Sequence, residues 1–241
     1  MAQYIDYLES ISNPATFRRK CQWLEHNFGS LFSAGQQVLE IGPGRGEFLE
    51  FAKTKGITTI DVIDRDQGVL DYVKARYLVR GAWTCSAENL SSLDTTLSTY
   101  DRIFVLQVME HIRTESLEDF IRSLYKHLKP GGKLIITVPN GANPLSIVER
   151  YSDITHHNLF SENSLRELVQ LSGVSGPKTT VQGYRIPPVS VIDIVRNCLQ
   201  KALHLCLKGL LVVNGGVFFS IYDPNITLIV ERADGSSASG S

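Results

Sequence analysis

The chain carries almost no net charge: 24 lysines and arginines meet 25 aspartates and glutamates over 241 residues, leaving a formal −1. A general nucleic-acid binder needs a basic surplus to neutralise phosphates, and no block of lysine or arginine supplies one. Nucleic acid is therefore not an expected partner. Cysteine is scarce too, and Cys21, Cys85, Cys198 and Cys206 form no C-x-x-C pair. Free thiols in a reducing compartment are the simplest account. The first thirty residues hold no continuous apolar stretch of the secretory kind, so the expected location is cytoplasmic. Internal repeats are absent as well. What remains, 43% hydrophobic and 20% charged residues, describes a soluble globular protein long enough to bury a full core.

From Gln37 to Pro139 apolar strand-like runs alternate with amphipathic segments. The strand runs are 38–41, 58–63, 83–85, 102–106 and 133–138, and two more follow at 178–184 and 225–231. Helical spacing marks 47–53, 67–77, 116–128 and 161–171, with Asp66 and Ser161 as N-caps. Lys129-Pro130-Gly131-Gly132 reads as a stop and turn. This alternation predicts an α/β fold, a doubly wound, mostly parallel seven-stranded sheet of Rossmann-like type with helices on both faces. Residues 1–34 read as an N-terminal helical cap, with Tyr4, Tyr7, Leu8 and Ile11 on one stripe and Asn13-Pro14 dividing it. The main domain is expected at 35–232, with an apolar helical insertion at about 187–220 and a disordered Ser/Gly-rich tail at 233–241.

The most informative run is Val38-Leu39-Glu40-Ile41-Gly42-Pro43-Gly44-Arg45-Gly46. A buried strand ends in a turn with alternate glycines, where a ligand can approach without meeting a Cβ. The dinucleotide fingerprint needs another glycine three positions on, and Glu47 stands there. Taken alone, such a turn is also compatible with a tight loop that binds nothing. Yet ligands of parallel sheets bind outside the carboxyl ends of the strands, near the topological switch. Glu40–Gly46, Asp64, Ser86–Glu88 and Gln107–His111 all fall at that edge.

Glycines at 42, 44 and 46 with an acid at 40 resemble motif I of the class I S-adenosylmethionine-dependent methyltransferases. The stretch Tyr100–Ile112 is similar to that family's fourth strand, which commonly ends V-L-E-H-I, and Leu128–Asn140 resembles its fifth. The resemblance covers about 37–175 and, more loosely, the last strand. It implies S-adenosylmethionine as cofactor and makes Asp64, at the end of the second strand, the ribose ligand. Cys85–Leu90 resembles the adenine segment D-A-E-x-L with Ser86 in place of the aspartate, leaving Ser86 or Glu88 for the adenine amino group. The backbone near Gln107 would receive the methionine amino group. The cofactor-binding positions so implied are Glu40, Gly42, Gly44, Gly46, Asp64, Arg65, Ser86, Ala87, Glu88 and Gln107.

Thr155-His156-His157-Asn158-Leu159-Phe160-Ser161 is similar to the H-x-x-x-F-(S/T) segment of small-molecule and glycan methyltransferases. A sulfonium methyl is already activated, so catalysis is mainly alignment and exclusion of water. An alcohol acceptor also needs a base, for which histidine, with a pKa near 6.5, is suited. His156 is the first candidate, with His157 and His111 in reserve. His111 can equally pin its loop, because adjacent Glu110 and His111 are expected to diverge on a helical turn. Two histidines with Asp153 nearby lack a third ligand in register, so no metal ligand is assigned.

The acceptor expected from the resemblance is a small molecule, with a sugar or glycan of surface-polysaccharide synthesis foremost. A small aromatic or quinone-like metabolite is the alternative enzyme reading, and a non-catalytic cofactor-binding partner protein the alternative of another class. The apolar residues of 189–213 are expected to pack on the sheet or across a homodimer interface. Contact with a membrane surface or a lipid-linked acceptor is the sharper reading of the same helix.

Overall fold

Asn13 opens the first helix among the described residues of the computed structural model, α1 (Pro14–Phe28), its Oδ1 accepting the Thr16 N–H at 2.9 Å. The structure describes residues 13–216 and 219–234, so Tyr4, Tyr7, Leu8 and Ile11 and residues 235–241 of the expected tail lie outside the described residues. Leu24 and Phe28 on the inner face of α1 are buried against the sheet, in the same apolar cluster as Phe48, Phe51 and Phe104. The Phe48 and Phe104 rings stack at 4.2 Å.

The remaining elements follow in chain order: β1 (Gln37–Ile41), α2 (Glu47–Thr54), β2 (Thr59–Asp64), α3 (Gln67–Lys74) and β3 (Gly81–Thr84). After a 3₁₀ segment come β4 (Tyr100–Leu106), α4 (Leu117–Lys126), β5 (Leu128–Pro139), α5 (Ile147–Ser152) and α6 (Glu162–Leu171). The chain closes with β6 (Lys178–Tyr184), α7 (Val191–Val213) and β7 (Asn225–Glu231). The seven strands form one sheet in the order β3-β2-β1-β4-β5-β7-β6. Pairings from β3 to β5 are parallel, while β7 runs antiparallel between β5 and β6. The expected fold class is thus the observed one.

Residue alternation explains the two layers. Leu39, Ile41, Ile103 and Val105 belong to one cluster, which α4 completes with Leu117, Phe120, Ile121 and Leu124 at helical spacing. Val38, Phe104 and Ile135 belong to the other, covered by α1 and α2. Each fully buried Leu or Phe contributes about 1.5–3 kcal/mol of transfer free energy, and both faces are covered as a parallel sheet requires. Caps fall where the sequence places them: Asp66 accepts the Gly68 N–H at 2.7 Å, and Ser161 and Ser164 form a reciprocal capping box.

Two departures are informative. Lys129–Gly132 does not precede a strand but bulges out of one: Tyr100 pairs with Leu128, and pairing resumes at Arg102 with Lys133. The second is α7. Its only buried residue is Asp193, which pairs with Arg196 at 2.8 Å and Arg19 at 3.5 Å. Ten of its large apolar side chains, Leu199, Leu205 and Leu210 among them, are exposed. Packing on the sheet is therefore corrected, since neither apolar cluster contains a residue of α7. No helix among the described residues is long and apolar enough to cross a membrane.

Candidate active site

The direction of chain travel reverses between β1 and β4, which lie side by side with β2 and β5 outside them. That arrangement opens a crevice at their carboxyl ends. The glycine turn follows β1 at that edge and leads into α2. Gly44 (φ 50°) and Gly46 (φ 84°) lie in the left-handed region. A Cβ at Gly46 would strike the Tyr77 ring at 2.3 Å, whereas one at Gly44 would meet nothing within 4 Å. Gly44 therefore turns its bare side to open space. Gly46 then caps α2 without any side-chain hydrogen bond, leaving the first amides of that helix available.

Acidic groups flank this turn. Glu40 is buried and its Oε2 has no partner; burial, followed by the charges of Glu47 and Asp64, raises its pKa well above the carboxylate range. Asp64 ends β2, where Oδ1 accepts the Asp66 N–H at 2.8 Å, and burial is the main cause that pushes its pKa up to about 6. Asp66, not Asp64, caps α3, so Asp64 keeps acceptor capacity at the carboxyl end of β2. Arg65 beside it is exposed. Arg45 was not singled out from sequence, yet its Nε and Nη1 are buried without a partner. Only a lone cation inside a glycine turn gave a signal for it.

The segment after β3 has its side chains engaged. Ser86 Oγ accepts the Glu88 N–H at 3.3 Å and caps the 3₁₀ segment Ala87–Leu93. The Glu88 carboxylate takes Arg113 through Nε at 3.0 Å and Nη2 at 3.1 Å, and these bonds hold its pKa below the usual range. Gln107 has φ 54°, the one described non-glycine residue in the left-handed region. It is held there by its N–H on the Thr137 carbonyl at 3.0 Å and its Nε2 on Asn225 Oδ1 at 2.9 Å. Strain of this kind gathers at ligand clamps. Asn140 is wholly buried and donates to the Ile221 and Asp223 carbonyls, so it ties β5 to the approach of β7.

The histidine loop lies over the turn that follows β4. The Glu110 carbonyl accepts the His157 N–H at 2.8 Å, and Asn158 Nδ2 donates to the Ile112 carbonyl at 2.7 Å. The ring centroids of His111 and His156 lie 4.6 Å apart. Burial first, then the neighbouring His156, lowers the His111 pKa. His157 is exposed, and among the described residues its ring makes no hydrogen bond, so the structure separates it from the pair. The expected divergence of Glu110 and His111 is corrected: donor atoms of Glu110, His111 and His156 all lie within 4.8 Å of one another. The cause is the overlying loop, which brings His156 to both side chains at once. Glu110 is 1% exposed, neither carboxylate oxygen has a partner, and burial raises its pKa to about 8.

A family model for the methyltransferase domain matches residues 12–175. No curated protein sequence matches the chain. Among solved structures, a SAM-dependent methyltransferase from Archaeoglobus fulgidus is 20% identical, with 90% of this chain and 96% of that one covered at a TM-score of 0.61. The plantazolicin methyltransferase BpumL, solved with SAH, is 14% identical over 96% of this chain and 90% of that chain, with a TM-score of 0.60. N-methyltransferase NodS from Bradyrhizobium japonicum is 15% identical over 92% and 98%, with a TM-score of 0.55. At these identities the likeness is one of fold.

Proposed function

The chain belongs to the methyltransferase-domain family and is an S-adenosylmethionine-dependent methyltransferase, and from that premise we propose that it methylates a hydroxyl of a sugar or glycan. The observation that carries the oxygen acceptor is the His111–His156 pair. An amine or thiolate needs no base, but an alcohol must lose its proton as its oxygen attacks the methyl carbon. The bond from carbon to sulfur breaks with its electron pair left on sulfur, giving S-adenosylhomocysteine. His156 is the proton acceptor in this reading, with His111 beside it and His157 outside the pair.

The cofactor would lie across the glycine turn, its ribose on Asp64 and its adenine by Ser86–Glu88. Its methionine end would meet the backbone at Gln107, and the unpartnered Arg45 guanidinium suits a carboxylate. With Glu88 held by Arg113, adenine recognition rests on backbone groups and Ser86. The exposed apolar side of α7 fits a homodimer contact, with a membrane surface as the competing occupant. The setting is the cytoplasm and the pathway class polysaccharide biosynthesis, both carried over from the sequence reading. Incubating the enzyme with methyl-labelled cofactor and fractionated cell extract tests the acceptor. Label in the sugar or lipid-linked sugar fraction supports the proposal; label confined to aromatic or quinone-like compounds replaces it.

A further inference from the structure

We propose that Glu110, His111 and His156 form a binding site for one divalent transition-metal cation at the acceptor side of the crevice. The argument begins with proton positions. His156 Nδ1 lies 2.9 Å from the Glu149 carbonyl, which can only accept, so Nδ1 carries the proton and Nε2 has a free lone pair. Thr155 Oγ1 donates its single proton to Asp153 Oδ1 at 2.7 Å, so it must accept from His111 Nδ1, at 2.8 Å. His111 is thereby fixed in the same tautomer. In both rings Nδ1 is oriented by a neighbour while Nε2, among the described residues, makes no hydrogen bond. Metal-binding histidines are oriented in this way by their outer partners.

The third donor is the carboxylate of Glu110, buried and without a partner on either oxygen. A buried carboxylate with both oxygens unsatisfied is costly unless a proton or a cation resolves it. Glu149 and Asp153 act electrostatically on the same group and add to the negative field. The donor atoms lie within 4.8 Å of one another. Ligands of one cation at bond lengths of about 2.0–2.2 Å stand roughly 3–4 Å apart, so side-chain movement of about 1 Å closes the set. Two imidazoles with one carboxylate suit zinc, manganese, iron or cobalt better than magnesium or calcium, which prefer all-oxygen shells. Three protein ligands leave positions open for an acceptor hydroxyl, whose pKa a cation lowers. This catalytic meaning rests on the O-methylation reading and takes the place of His156 as proton acceptor: with Nε2 of His156 on the cation, the proton of the activated hydroxyl passes to solvent. The binding itself does not rest on that reading.

The test is a titration of chelator-treated protein with Co²⁺, followed by its visible absorption. One equivalent per chain is expected, with binding at least tenfold weaker in Glu110→Gln and in His156→Gln and unchanged in His157→Ala. Calorimetric binding of S-adenosylmethionine to each variant shows that the fold persists and tests the cofactor reading separately. In the wild type, Co²⁺ should also shift the NMR resonances of His111 and His156 and leave those of His204 in place, which requires no variant to fold. Failure of the wild type to bind one equivalent, or shifts absent from His111 and His156, would overturn the site even where the cofactor binds normally. Retention of wild-type affinity by Glu110→Gln and His156→Gln would do the same.

Discussion

His111 and His156 face each other with ring centroids 4.6 Å apart, although they belong to segments on opposite sides of β5 in the chain. The contact exists because the loop after α5 is fastened to the turn after β4 by main-chain bonds to Glu110. It gathers the unsatisfied donors of the acceptor side in one place. His156→Ala should lower turnover about a hundredfold while leaving cofactor affinity nearly unchanged. His157→Ala, outside the pair, should stay near the wild-type rate. Steady-state kinetics with calorimetry separates the two quantities, and near-normal turnover in His156→Ala would remove that residue from the chemistry.

Cofactor affinity should depend on Asp64 and Gly44. Loss of hydrogen bonds to a charged group costs about 1.5–3 kcal/mol, so Asp64→Ala should weaken binding by roughly ten- to a hundredfold. Gly44→Val should weaken it further, because its side chain would enter the open space and the residue already sits at φ 50°. Titration calorimetry with S-adenosylhomocysteine measures both. Unchanged affinity in both would contradict the assigned cofactor position.

Acid should weaken cofactor binding. Asp64 titrates at about 6 in the free protein, and only its ionised form accepts two ribose hydroxyls. Affinity should therefore fall as the pH drops through 6, and Asp64→Asn should lose most of that dependence. Stability runs the other way. The folded pKa lies above the unfolded value of about 3.9, so the folded chain binds the extra proton between them. Asp64 thus favours folding less as the pH rises through that window. Chemical denaturation of wild type and Asp64→Asn at pH 4.5 and 7.5 reads this out.

The stack of Phe48 on Phe104 joins α2, which starts where the glycine turn ends, to the central strand β4. Removing one fully buried ring leaves a cavity, and Phe104→Ala should cost about 3–5 kcal/mol. Urea denaturation measures it. A loss below about 1 kcal/mol would mean that the second apolar layer is not assembled as described.

The exposed apolar side chains of α7 should mediate self-association. Replacing Leu199 and Leu203 together by Glu should convert a dimer to a monomer in sedimentation equilibrium. A wild-type monomer that binds anionic vesicles would assign this face to a membrane surface instead.

Much of this was legible in the sequence because it is local. Apolar runs need no known partner to be recognised: Arg102–Leu106 and Lys133–Val138 read as strands wherever they pair, and Gly44 and Gly46 mark a turn. The convergence of Glu110 with His156 was not legible, since adjacent residues on a turn give no sign of which distant loop will lie over them. Arg45 was equally hidden, because burial of a guanidinium depends on what the rest of the fold places around it. Apolar content did not say what covers α7: the pattern that marks burial against the sheet on α4 belongs here to a helix that neither apolar cluster includes.

The central claim is methyl transfer to an oxygen. It is tested most directly by linkage analysis of the product formed from methyl-labelled S-adenosylmethionine and the sugar-containing fraction. The account predicts the label in an O-methyl ether, formed by wild type and lost in His156→Ala. Label recovered on nitrogen, with His156→Ala as active as wild type, would contradict it.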